Sequence, residues 1–127
     1  MLGFFRMLGR SHEARRFDEA LNAAGLNPGY VPESVKLTTL KQLKEANGGS
    51  TPDLQTCAGA AELLGYCLLG SNAFIEANGA RRTDAVEARL EAALEAGYGL
   101  DARLVLLTLH AGLINSAVVE RYRLTAE

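Results

Sequence analysis

Residues 60–70 read Ala60-Ala61-Glu62-Leu63-Leu64-Gly65-Tyr66-Cys67-Leu68-Leu69-Gly70, and two folds compete for them. In the first, they belong to one long helix. Leu54, Cys57, Ala58, Ala61, Leu64, Gly65 and Leu68 share a face at helical spacing, while Gly59, Leu63, Tyr66 and Cys67 make the other faces apolar too. A helix apolar on nearly every side must be covered on several sides, by its own neighbours or by a second subunit. On this reading Ala58, Ala61 and Gly65 are small so that another backbone can come close.

In the second reading Gly65 is a turn. Ala60-Ala61-Glu62-Leu63-Leu64-Gly65 resembles the first helix and turn of the helix-turn-helix in bacterial regulators of the factor-for-inversion-stimulation type. The resemblance implies an alanine packed between helices, matched by Ala61, and a glycine at the turn, matched by Gly65. It also implies a Ser or Thr that starts a recognition helix bearing Arg or Lys for the major groove. Here Cys67 holds the capping position, and Leu68-Leu69-Gly70-Ser71-Asn72-Ala73-Phe74 offers no cation to a phosphate or a guanine edge. Arg81 and Arg82 are the nearest basic residues, so a DNA-binding motif over 60–79 would be degenerate and nucleic acid is not the expected partner.

Outward from this stretch, glycine and proline divide the chain into helices. Ser11 is placed to cap a helix carrying Ala14, Phe17, Leu21 and Ala24, ended by Gly25. Asn27-Pro28-Gly29-Tyr30-Val31-Pro32 reads as a turn. Val35, Leu37, Leu40 and Leu43 then form a stripe between Pro32 and Asn47-Gly48-Gly49. Ser50-Thr51-Pro52-Asp53 supplies a hydroxyl cap, a first-turn proline and an acid for a helix from Pro52 to about Leu69, which Gly70-Ser71-Asn72 bends or ends before Asn78-Gly79. Thr83 is expected to cap the next helix, with Val86, Leu90, Ala93 and Leu94 inward and Gly97 at its end. Asp101 is expected to cap a last helix running toward Arg123. With strand alternation nearly absent, the fold expected is all-α: a single domain over 1–127, a compact bundle of five to six helices, with residues 1–10 as an N-terminal arm.

The chain has 127 residues, 48% apolar and 22% charged, with only three prolines, which is enough apolar sequence to bury a core without metals or disulfides. Thirteen basic residues against fifteen acidic ones give no global attraction to nucleic acid or an anionic membrane. Cys57 and Cys67 are ten residues apart, about 15 Å of rise and about 280° around one helix, so they cannot pair within it. They read as small buried residues of a reducing cytoplasm. Met1 to Arg10, interrupted by Arg6, lacks a secretory signal core. The uncharged runs Leu63 to Ile75 and Leu104 to Val119 have 13 and 16 residues, below the ~20 of a bilayer span, so no transmembrane segment is expected.

Chemistry-bearing groups are few. His110 and Asn115 stand in the uncharged run 104–119 and need partners; with Glu62 they form the candidate polar pocket, and His110 could serve as base or ligand. No acid or second histidine stands three or four residues from it, and neither metal spacing nor cofactor motif is present. Gly97-Tyr98-Gly99-Leu100-Asp101-Ala102 has the glycine spacing of a dinucleotide loop but follows a helix, which makes it a helix-to-helix turn. Glu87, Glu91 and Glu95 form an acidic ridge read as a solvated face. Leu2, Phe4, Phe5 and Leu8 among Arg6, Arg10, Arg15 and Arg16 read as an arm packing on the core or on a second copy. The functional expectation is a self-associating, homodimeric interaction or assembly module without catalytic activity, joined through Ala58, Ala61, Gly65, Leu68, Phe4 and Phe5. A DNA-binding regulator and a ligand- or metal-binding bundle centred on His110 are the alternatives.

Overall fold

Leu54–Asn78 is one helical rod with a single break, and the rest of the chain is wrapped around it. The computed structural model describes residues 2–125, with side chains from His12 onward. Its helices are α1 (Leu2–Ala23), α2 (Glu33–Ala46), α3 (Leu54–Asn78), α4 (Ala80–Ala96), α5 (Leu100–His110) and α6 (Ser116–Tyr122), with a 3-10 turn at Pro28–Tyr30. There is no strand among the described residues. The all-α bundle expected from the sequence is the fold observed.

Much of the apolar surround of α3 is covered within the chain, while Leu54 and Ile75 stay exposed. α1, α2, α4, α5 and α6 all pack on it, and Ala61, Leu63, Leu64, Tyr66, Cys67 and Phe74 are buried. Their neighbours include Phe17 and Leu21 of α1, Leu43 of α2, Val86 and Leu90 of α4, Leu104 and Val105 of α5, and Val118 of α6. Each such side chain contributes about 1.5–3 kcal/mol on burial. By length and composition α3 would also suffice to cross a membrane, although half of its most apolar window is buried inside the protein. Counting only uncharged residues missed this, because Glu62 and Glu76 lie within the helix.

The helix runs through Gly65 without a turn and leaves helical geometry only at Gly70 (φ 84°, ψ 170°). A helix-turn-helix hinged at Gly65 is therefore not the geometry of residues 60–79. The break strands carbonyls of the preceding turn, since the residues beyond it no longer point their N–H groups back along the axis. Asn115 meets them: its backbone N–H donates to Cys67 O at 2.8 Å and its Nδ2 to Leu69 O at 3.2 Å. Its Oδ1 accepts from the Ala117 N–H at 2.8 Å and so caps α6.

Several helix ends differ from expectation. The backbone is already helical from Leu2, so Ser11 lies inside α1, and the segment expected as an arm continues that helix. Asp53, not Ser50 or Thr51, caps α3, its Oδ1 accepting from the Thr56 N–H at 2.7 Å. Gly79 and Gly99, both at positive φ, form the joints that let α4 and α5 begin four and two residues earlier than hydroxyl and carboxylate caps imply. Thr83 is buried within α4, where its hydroxyl bonds Gly79 O at 2.8 Å, and Asp101 sits in the first turn of α5. The run 104–119 is two helices, because the chain turns at Ala111–Ile114 before Asn115 restarts it.

The tight helix approach falls at a glycine other than the expected one. A methyl on Gly65 would meet Ala24 and Phe74 at 3.6 Å, an ordinary contact, whereas one on Gly25 would come within 2.5 Å of the Ala77 Cβ. Gly25 also holds φ +88°, which an L-residue adopts only with strain. Gly65→Ala is therefore expected to be neutral or stabilising by up to about 1 kcal/mol, through helix propensity. Gly25→Ala should destabilise by at least about 1–2 kcal/mol. Asn115→Ala, which removes a cap and a partner of the Leu69 carbonyl, should cost about 2 kcal/mol. Urea denaturation of the three variants checks all these values.

Candidate functional site

Two features of the surface around the α3 break stand out: an apolar cleft and a polar cluster. The cleft, about 360 Å³, is lined by Leu26, Tyr30, Leu68, Leu69, Gly112 and Leu113. Its walls come from the turn after α1, the α3 segment just before Gly70, and the α5–α6 loop. No lining residue carries a charge. Tyr30 stands 69% exposed, because the 3-10 turn, fixed by Asn27 Oδ1 accepting from the Gly29 N–H at 2.9 Å, presents it to solvent.

The polar cluster joins α3, α4 and α6. Glu87 Oε2 accepts from Tyr66 Oη at 2.7 Å, Ser71 Oγ at 3.0 Å and Arg121 Nη1 at 2.6 Å. The Tyr122 hydroxyl lies 3.4 Å from that of Tyr66, and the Arg121 guanidinium stands 5.3 Å from the Tyr122 ring centroid. Tyr66 is fully buried, edge-on to Phe74. Burial raises the Glu87 carboxyl, but the Tyr66 and Ser71 hydrogen bonds and the Arg121 charge outweigh it and hold the group below its ordinary range. Burial drives the Tyr66 phenol well above its usual value, and the bonds to Tyr122 and Glu87 add to this. The carboxylate stays charged and the phenol stays a donor at neutral pH, so the cluster fastens helices instead of moving protons.

A second arginine braces the other side of α3. Arg89 grips Asp101 with two bonds, Nε to Oδ2 at 3.2 Å and Nη2 to Oδ1 at 2.8 Å, and Nη1 donates to Gly59 O at 3.0 Å. It thereby ties α4 to α5 and α3. Next to it, Gly97-Tyr98-Gly99 lies between two helices, as its sequence context implies. Burial pushes the Cys67 thiol up to about 12, so it stays protonated at neutral pH, and both cysteines are free and buried.

The residues singled out by sequence separate into distinct places. His110 is exposed at the end of α5, not buried in a core helix, and it shares no hydrogen bond with Glu62 or Asn115. Glu62 pairs instead with Arg82 at 3.4 Å, and Asn115 serves the α3 break. The expected polar pocket is therefore not assembled. Arg81 is exposed in the first turn of α4 beside Arg82. Ala58 is exposed and shares a dimple of about 40 Å³ with Glu62, Arg82 and three alanines of the α1 end. Ala61 and Gly65 are buried within the chain, which removes them from any surface, whereas half-buried Leu68 lines the cleft. The side chains of Phe4 and Phe5 lie outside those described.

Sequence reasoning missed Glu87 as a hub, Arg121, Arg89 and Tyr30. In the sequence Glu87 is the first of three acids at intervals of four, yet only Glu91 and Glu95 are exposed. The available signal was Tyr66, a polar-tipped aromatic in an otherwise apolar helix, whose hydroxyl had to find a partner. Comparison with family models, curated proteins and solved structures finds no match to this chain.

The lowered Glu87 value makes the cluster pH-dependent. A carboxylate whose folded value is depressed adds stability above its unfolded value of ~4.3, and that stability is lost as pH falls through the folded value. Wild-type unfolding free energy should decline on acidification below about pH 4. Glu87→Gln should cost on the order of 1 kcal/mol at neutral pH and flatten that part of the decline. Denaturant titrations at stepped pH read both effects.

Proposed function

We propose that the protein is a self-associating helical module whose contact surface is the cleft between the α1 turn, α3 and the α5–α6 loop. The observation that carries this reading is an uncharged cleft with an exposed tyrosine on its rim. Interface cores are depleted of charge and enriched in tyrosine, whose apolar ring and polar tip suit a surface that is wet when free and buried when joined.

The occupant is a second copy of the chain. Under a twofold axis the same patch serves both partners, so a rim residue of one copy meets the lining of the other and the reverse contact follows by symmetry. Tyr30 and Leu68 form such a pair of surface and lining within one patch. Of the residues expected at the interface from sequence, Leu68 keeps its place in this reading. Ala61 and Gly65 are replaced by Tyr30, Leu69 and Leu113.

Sedimentation across a wide concentration range tests the reading. The wild type should move reversibly from monomer to dimer with concentration. Tyr30→Ala should weaken that equilibrium by about thirtyfold, the effect of losing one aromatic anchor that the second copy buries, with the far-ultraviolet circular dichroism unchanged because Tyr30 supports no core contact. A strict monomer at every concentration, or a dimer indifferent to Tyr30→Ala and Leu68→Glu, would sink it.

A further inference from the structure

We infer that α6 is a strap that maintains one wall of the apolar cleft and is fastened from its far end by Arg121 and Glu87. The inference rests on the reading of the cleft as the association surface and adds a means of regulating it. Seven residues are too few to be helical in isolation, so α6 persists only while docked. One of its side chains, Val118, is fully buried. Tyr122 and the following Leu124 pack on the core half-buried, and the polar attachments lie at its two ends.

At the near end, Asn115 bonds Cys67 O and Leu69 O and so joins the strap to the α3 segment that supplies Leu68 and Leu69 to the cleft. Gly112 and Leu113, two residues or so ahead of it, form the facing wall. That loop is moored to α5 by the Leu113 and Ile114 N–H groups, which both donate to Thr108 O. Asn115 is therefore the tie that sets the distance between the walls. At the far end, Arg121 reaches Glu87 at 2.6 Å, and Tyr122 stands against Tyr66. Opening the Arg121–Glu87 pair leaves α6 held by Val118, Asn115 and the half-buried Tyr122 and Leu124, and a helix that frays to its cap releases the cap as well. The wall carrying Leu113 then loses its tie to α3.

Arg121 is exposed and lies outside the apolar core, so losing its pair leaves the packing among α1 to α5 in place. Local release is thus distinct from global unfolding. A partner or modification that competes for Arg121 or Glu87 would weaken self-association from a site outside the cleft.

Hydrogen exchange with mass spectrometry on the full-length wild type, Arg121→Gln and Glu87→Gln, at neutral pH, tests this. Arg121→Gln alters an exposed side chain and guards against a folding defect from the α4 substitution. Amides over 111–122 should exchange at least about tenfold faster in both variants, with α1 and α4 unchanged, and dimer formation should weaken in parallel. Unchanged protection over 111–122 in both variants would overturn the strap, as would faster exchange spread evenly over α1 to α6. A wild type that never dimerises would remove the association reading alone, since the exchange pattern still decides whether the strap exists.

Discussion

The break at Gly70 in the central helix is the constraint on which the other elements depend. α3 is apolar on most of its faces, and its helical geometry lapses at one residue, Gly70. The break leaves carbonyls without partners in a partly buried place. The chain answers with a single asparagine. Asn115 satisfies two of those carbonyls and starts α6 with the same side chain, so the break, the last helix and the loop between α5 and α6 have one common origin.

Around that rod the polar contacts are arranged by side. Arg89 braces α3, α4 and α5 on one flank, and Glu87 gathers Tyr66, Ser71 and Arg121 on another. Both hubs lie on α4, at positions 87 and 89, which diverge by about 200° around the helix. α4 thus adds two polar ties to the buried apolar face formed by Val86, Leu90 and Ala93. Neither arginine is fully buried, so each keeps part of its hydration and the energetic gain per pair is modest. Their effect is on orientation.

Much of the fold was legible in the residues. The all-round apolar character of 54–69, the glycine stops and the turn at 27–32 are local signals, and local signals decide helices. The starts of helices were legible only in part. Asp53, Gly79 and Gly99 took the capping positions assigned to Ser50, Thr83 and Asp101: Asp53 through its carboxylate, Gly79 and Gly99 through positive-φ backbone that no side chain at 83 or 101 signals. The candidate site was scarcely legible. Glu87 and Tyr66 are 21 positions apart and Arg121 a further 34 from Glu87, and nothing in a one-dimensional pattern distinguishes a carboxylate that will meet a buried phenol from the next two in its series. His110 misled for the matching reason: an uncharged run looked like one core helix, and the turn at Ala111 put the imidazole outside.

The contact between Gly25 and Ala77 carries a different lesson, about which substitutions this chain can accumulate. The two positions share room for one methyl group, and they stand 52 positions apart at the surface ends of α1 and α3, in a place that no measure of burial would flag. Making Ala77 glycine would relieve the crowding at Gly25 without relieving its backbone, so position 25 stays glycine whichever residue stands at 77.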